Sequence, residues 1–269
     1  MVMSDSIEPN QPYVPPPPSG PRLVFPTLAL ADPFRWLRLG AMDLRRHAGI
    51  GLFYGACFWT MYALLHFIFL NAPEYTISMA SGCLLAGPFL AMGLYDVSRR
   101  RERGLPVLLL PTMTCWTPNL RSLGMLVFVL LVLELLWGRI SLVVFAVFFN
   151  TGMPSTTGVI EAIFNPENLE FVIAYTCVGG FFAGLVFVFS VVSIPMIHDR
   201  NIDAITATIA SFQTVLTSPI VWLLWGAIIT AIIVASMWFY GLGLVLFGPL
   251  IGHATWHAYR AAVQWPPGE

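Results

Sequence analysis

Long uncharged apolar runs alternate along the chain with short polar segments that carry arginine. The runs at residues 50–70, 76–95 and 171–194 are each long enough to cross about 30 Å of hydrocarbon as a helix. Residues 219–259 form a run about twice that length, with Trp238, Phe239, Tyr240 and Gly241 near its middle. Interfacial aromatics beside a flexible turn predict two short spanning helices there. Residues 123–149 hold Glu134 and Arg139 and leave two paths open. They form one tilted helix, or a helix that ends at Trp137-Gly138 and continues along the outer surface. The pattern predicts an all-α integral membrane protein of six transmembrane helices arranged as three hairpins.

Two shorter segments have helical rather than uniform apolarity. After Asp32-Pro33, an N-cap and a first-turn proline, Phe34, Leu37, Ala41 and Leu44 recur beside Arg35, Arg38, Arg45 and Arg46. Between Asp203 and Thr217, Ile205, Ile209, Phe212 and Val215 line one face, with Ile202 just before it. Both predict interfacial amphipathic helices on the cytoplasmic side, the first against anionic lipid headgroups. Pro15 to Pro18 stand in a row, so residues 1–30 read as a disordered proline-rich tail, 31–262 as the membrane domain and 263–269 as a short tail. Leu52-Phe53-Tyr54-Gly55-Ala56 matches Leu223-Leu224-Trp225-Gly226-Ala227, and Gly87-Pro88 matches Gly248-Pro249, as in an internal repeat.

Composition supports a bilayer as the solvent. Hydrophobic residues make up 57% of the 269 and charged residues only 10%, where a soluble domain has about a quarter charged. The basic residues are all arginine, and an N-terminus placed inside puts every one except Arg139 on the cytoplasmic side. Glu74, Glu161, Glu167 and Glu170 then fall in outer loops. That orientation places both termini on the cytoplasmic side, and charge so distributed reports topology rather than a nucleic-acid partner. No cleaved signal peptide is apparent. Cys57, Cys83 and Cys177 lie in apolar runs and Cys115 in a linker, without a CxxC, which argues against disulfides and zinc knuckles.

Candidate chemistry is sparse. His253 and His257 stand four apart on one helix face and suit a metal, with His198, Asp199, Asp203 or Asp96 as a third ligand. A zinc protease needs a glutamate where Ala254 stands. The ordinary reading is a cytoplasmic polar network of Asp96, His198, Asp199, Arg200, Asp203, His257 and Arg260 that fixes helix ends. His66 and His253 fall near opposite membrane faces, which places them badly for one haem. Glu134 and Arg139 are costly at membrane depth and project about 140° apart on a helix, so they need separate partners. Gly82, Gly87, Gly179, Gly180 and Gly184 suit close helix packing, and Pro88 and Pro249 are expected to kink their helices. No catalytic or cofactor motif emerges.

Ala31-Asp32-Pro33-Phe34-Arg35-Trp36-Leu37-Arg38-Leu39-Gly40, Ile197-His198-Asp199-Arg200 and Gly252-His253-Ala254-Thr255-Trp256-His257-Ala258-Tyr259-Arg260 carry a resemblance. They are similar to a family of bacterial, mainly proteobacterial, predicted integral membrane proteins of unknown function. The resemblance implies a six-helix inner-membrane protein and brings no catalytic residues. Such proteins are sometimes labelled as like cytochrome c oxidase subunit I, yet five histidines, most at one membrane edge, do not furnish a haem-copper centre. The leading expectation is a non-catalytic accessory, assembly or organising component of a larger membrane complex, such as a respiratory one, bound to other membrane subunits. Alternatives are a small transporter or channel using Glu134 and Arg139, and a metal or haem protein using His253 and His257.

Overall fold

The computed structural model describes residues 23–72, 75–149 and 168–265. The tail through residue 22, the loop residues Glu74, Glu161 and Glu167, the side chain of Pro88 and residues 266–269 lie outside the described ones. Ten α-helices are described: α1 Asp32–Arg46, α2 Ala48–Asn71, α3 Thr76–Glu102, α4 Leu109–Met113, α5 Leu120–Phe148, α6 Leu169–Ser190, α7 Ser193–Arg200, α8 Ala204–Thr217, α9 Pro219–Trp238 and α10 Leu244–Ala262. Among the described residues, four stretches are long and apolar enough to cross a membrane: α2, the Leu109–Phe148 run that contains α5, the Leu169–Arg200 run of α6 and α7, and α9.

Of the two paths left open for residues 123–149, the chain takes the single helix. α5 passes through Trp137 and Gly138 unbroken to Phe148, because no proline interrupts it and its leucines and valines suit an apolar surround. The long 219–259 run breaks between Trp238 and Leu244. There Tyr240 and Gly241 both have positive φ, 53° and 71°. A side chain at Gly241 would also overlap the Tyr62 ring, so glycine answers both the backbone and the space. Trp59 Nε1 donates to the Tyr240 carbonyl at 3.2 Å and holds this turn against α2.

α10 lies at the centre, packed by α1, α2, α3 and α9. Glycines let it be approached closely. A Cβ on Gly40 of α1 would come within 2.8 Å of the Ala254 nitrogen, and one on Gly55 of α2 would overlap the Val245 carbonyl. Sequential long helices also pair, α2 with α3, α5 with α6 and α9 with α10.

α1 packs on the bundle through a face offset from its apolar stripe of Phe34, Leu37, Ala41 and Leu44, the stripe expected at the lipid surface. Its buried positions include Trp36, Gly40, Asp43 and Leu44, whereas Phe34 is exposed. The close approach at Gly40 sets this rotation. It carries Trp36 between Trp222 and Trp225 of α9, at ring distances of 5.7 and 5.6 Å. In α8 the apolar stripe faces outward: Ile205, Ile209, Phe212 and Leu216 are exposed, while Ala207, Ala210, Ser211 and Thr214 are buried. Ser211 Oγ donates to the Val188 carbonyl at 2.6 Å, and Ser193 Oγ to that of Ala207 at 3.2 Å. Small residues thus form the packing face, as in membrane helix contacts.

The described parts of both flanks are tied together. Val24 and Gln264 form an antiparallel bridge with N···O distances of 3.0 Å in each direction, and the Leu28 amide donates to Ser218 Oγ at 2.9 Å.

Candidate functional site

Two features share the helix ends and the interior of this bundle: a polar cluster at the arginine-rich end and an apolar chamber above it.

The cluster is organised by Asp43, which α1 brings fully buried against α3 and α10. Ser98 of α3 lies 2.6 Å from Asp43 Oδ2 and 2.8 Å from His253 Nδ1. A serine hydroxyl has one proton, and an ionised carboxylate only accepts. Ser98 therefore donates to Asp43 and accepts from His253, which assigns the neutral Nδ1–H tautomer to His253. His253 Nε2 is then a bare acceptor, buried and with no partner among the described residues. His257 Nε2 reaches the same Asp43 oxygen at 2.9 Å, and Arg101 pairs with the other. His257 Nδ1 lies 3.6 Å from Glu102, which also holds Arg260 at 3.3 Å.

A second centre joins α3 to α7. Asp96 takes Arg100 at 2.5 Å, His198 at 3.2 Å and Arg99 at 3.8 Å. Burial pushes the Asp96 carboxyl up, but hydrogen bonds from His198 and Arg100 outweigh it and hold the group below the usual carboxylate range. Asp199 accepts from Arg103 at 2.7 Å and from the Tyr259 hydroxyl at 3.0 Å, with Arg99, Arg260 and Arg200 at 3.3, 3.6 and 3.6 Å. Arg200 also stacks over Trp265, 4.5 Å from its centroid.

The structure thus brings Asp96, His198, Asp199, Arg200, His257 and Arg260 into one cluster. Asp203 stands outside it. Asp203 caps α8, accepting from the Thr206 amide at 2.9 Å, and that bond lowers its carboxyl pKa. His253, His257 and His198 converge on no common point: each is engaged by a different polar partner, Ser98, Asp43 and Asp96. Among the described residues, no three His, Cys, Asp or Glu side chains form a group able to hold a metal. His66 stacks on Tyr62 at 5.8 Å, on the helix end away from His253.

Asp43, Ser98, Arg99, Arg100, Arg101, Glu102, Arg103 and Tyr259 are cluster members that sequence reasoning missed. Asp43 had a local signal. It follows Trp36 by seven residues, so any helix burying the tryptophan buries the carboxylate too.

The chamber has a volume of about 820 Å³ and is walled by α2, α3, α5, α6, α9 and α10. Its wall is apolar and aromatic, with Phe58, Tyr62, Trp137, Phe182 and Phe187 among its lining. Tyr95, Ser190 and Thr255 are among its few polar lining residues, and Tyr95 is one residue from Asp96 of the cluster. Glu134 lines the chamber, whereas Arg139 does not and is exposed. The two therefore share α5 but not a site.

Residues 76–199, from the start of α3 into α7, match the model of a family described as "Predicted integral membrane protein (DUF2189)". Asp96, Glu134, Arg139, His198 and Asp199 fall inside that span, and His253 and His257 outside it. No curated protein and no solved structure matches the chain. The family match and the four apolar helical stretches describe an integral membrane protein.

Proposed function

We propose that this chain is a multi-pass membrane protein that takes an apolar, lipid-sized molecule into the chamber between its helices, for binding and transport rather than bond chemistry. The observation that carries this reading is the chamber itself. Its volume of about 820 Å³ lies within the range of small-molecule sites, roughly 300–1,000 Å³, and its walls are apolar with few polar groups. In this reading α3 and α10 complete a six-span bundle, and the arginine-rich end faces the cytoplasm of a bacterial inner membrane, where positive charge is retained.

Binding of a neutral apolar fluorophore, N-phenyl-1-naphthylamine, to the purified chain in lipid nanodiscs tests the reading. Saturable binding above that of empty discs, lost when Ala183→Trp fills the chamber, supports it. Partitioning identical to empty discs overturns it.

A second reading, an accessory or organising subunit of a larger membrane complex, is favoured by α8, whose stripe of Ile205, Ile209, Phe212 and Leu216 faces away from the bundle. Partner subunits co-migrating at constant stoichiometry after mild extraction support it. A solitary chain from native membranes removes it.

A further inference from the structure

Every carboxylate of the polar cluster is matched. Asp43 meets Arg101, Asp96 meets Arg100, Asp199 meets Arg103, and Glu102 meets Arg260. Glu134 differs. It projects half-buried into the chamber and has no hydrogen bond or ion pair among the described residues. Arg139, the basic group nearest to it along α5, is turned elsewhere. No arginine or histidine is among the described residues that line the chamber, and Glu134 is the one carboxylate among them. An isolated carboxylate at membrane depth is expensive, and an arriving positive charge removes that cost.

The wall supplies a second, independent preference. Aromatic rings present negative faces, and they attract cations more strongly when water is excluded. Trp137 stands one helical turn from Glu134 on α5, 5.9 Å from the Phe182 ring, and both line the chamber with Phe58, Tyr62 and Phe187. A carboxylate in an aromatic-rich wall selects for positive charge on an apolar body.

Building on the chamber reading above, we infer that the ligand is a lipophilic cation, an apolar molecule with one positive centre, and that Glu134 is its counter-ion. The aromatic wall holds the apolar body, and the carboxylate holds the charge.

Tetraphenylphosphonium and tetraphenylborate have the same shape and opposite charge, which makes them the decisive pair. Each is titrated against the full chain in nanodiscs, with empty discs subtracted and N-phenyl-1-naphthylamine as the neutral reference. The expected result is saturable phosphonium binding that displaces the neutral probe, and borate binding at least ~10-fold weaker. E134Q lowers phosphonium affinity ~10-fold relative to the neutral probe. Equal binding of the two ions overturns the inference while neutral-probe saturation keeps the chamber reading. So does a phosphonium affinity that E134Q leaves unmoved against the neutral reference. Failure of all three probes to saturate overturns both. The ion comparison on the unaltered chain decides the matter even if E134Q does not fold.

Discussion

Asp43 of α1 accepts a hydrogen bond from His257 of α10 at 2.9 Å, across 214 residues of sequence. The same oxygen takes Ser98 of α3 at 2.6 Å, so one buried carboxylate ties three helices. Removing it leaves Arg101, His257 and Ser98 without their shared acceptor. Asp43→Ala is expected to cost about 3–5 kcal/mol, the usual loss when one partner of a buried ion pair is deleted. Denaturant unfolding of the detergent-solubilised chain measures this. A change below about 1 kcal/mol, typical of an exposed pair, would show that the carboxylate carries no such burden.

Ser98 sets the tautomer of His253, and its loss has a separate signature. Ser98→Ala removes the hydroxyl that accepts from His253 Nδ1–H and is expected to cost about 1–3 kcal/mol. With Asp43→Ala in a double-mutant cycle, the two losses should fall short of additivity, since both break one chain of hydrogen bonds. Strict additivity would mean that the serine and the aspartate act independently.

Acid should loosen the junction of α3 and α7. The Asp96 carboxyl is held below its ordinary value of about 3.9, so the unfolded chain binds its proton more readily. The resulting stability is fully present above that ordinary value and is lost as pH falls through the lower folded value. Thermal unfolding followed from pH 7 to pH 3 should decline below about pH 4 in the parent chain. Asp96→Asn should start lower and show a shallower decline over that window. Parallel curves would remove Asp96 from the acid response.

The long apolar runs made the all-helical membrane architecture legible, and the reasons for the gaps are physical. The break at Tyr240-Gly241 was readable because turn chemistry is local, and His253 and His257 were readable as one face because spacing is local. Their partners were not. Ser98 meets His253 across 155 residues, and nothing in either neighbourhood encodes the meeting. Asp203 was drawn into the polar network by its charge, although its place before an apolar helix, three residues ahead of Thr206, is an N-cap signature. The face of α1 that packs on the bundle was not legible in its apolar stripe. Gly40, which contributes no apolar surface, decides which side meets α10. The chamber arises only from how six helices pack, so no run of residues announces it.

Gly40 allows that approach to be tested with its own control. A methyl group there must displace the backbone of α10, since the nearest atoms, at 2.8 and 2.9 Å, are the Ala254 nitrogen and the Leu250 oxygen. Gly40→Ala should lose about 1–3 kcal/mol, as overpacked positions do. Gly49→Ala, where a Cβ meets nothing within 4 Å, should leave stability unchanged or raise it by up to about 1 kcal/mol through helix propensity. Equal effects at the two positions would deny α1 its close contact.

The bridge between Val24 and Gln264 places the two flanks of the membrane domain on the same side, and chemistry can capture it. Each amide donates to the other residue's carbonyl, so the pair is of the hydrogen-bonded antiparallel type, with Cα atoms about 5.5 Å apart. That spacing lies within the range a disulfide spans. Val24→Cys with Gln264→Cys should therefore cross-link under mild oxidation, in a background where Cys57, Cys83, Cys115 and Cys177, all free, are replaced by serine or alanine. A membrane-impermeant maleimide should block both new cysteines from one face only, the cytoplasmic face in the orientation proposed above. Labelling from opposite faces, or no cross-link in membranes where each cysteine labels, would separate the flanks. The shared placement of α1 and the end of α10 would fall with them.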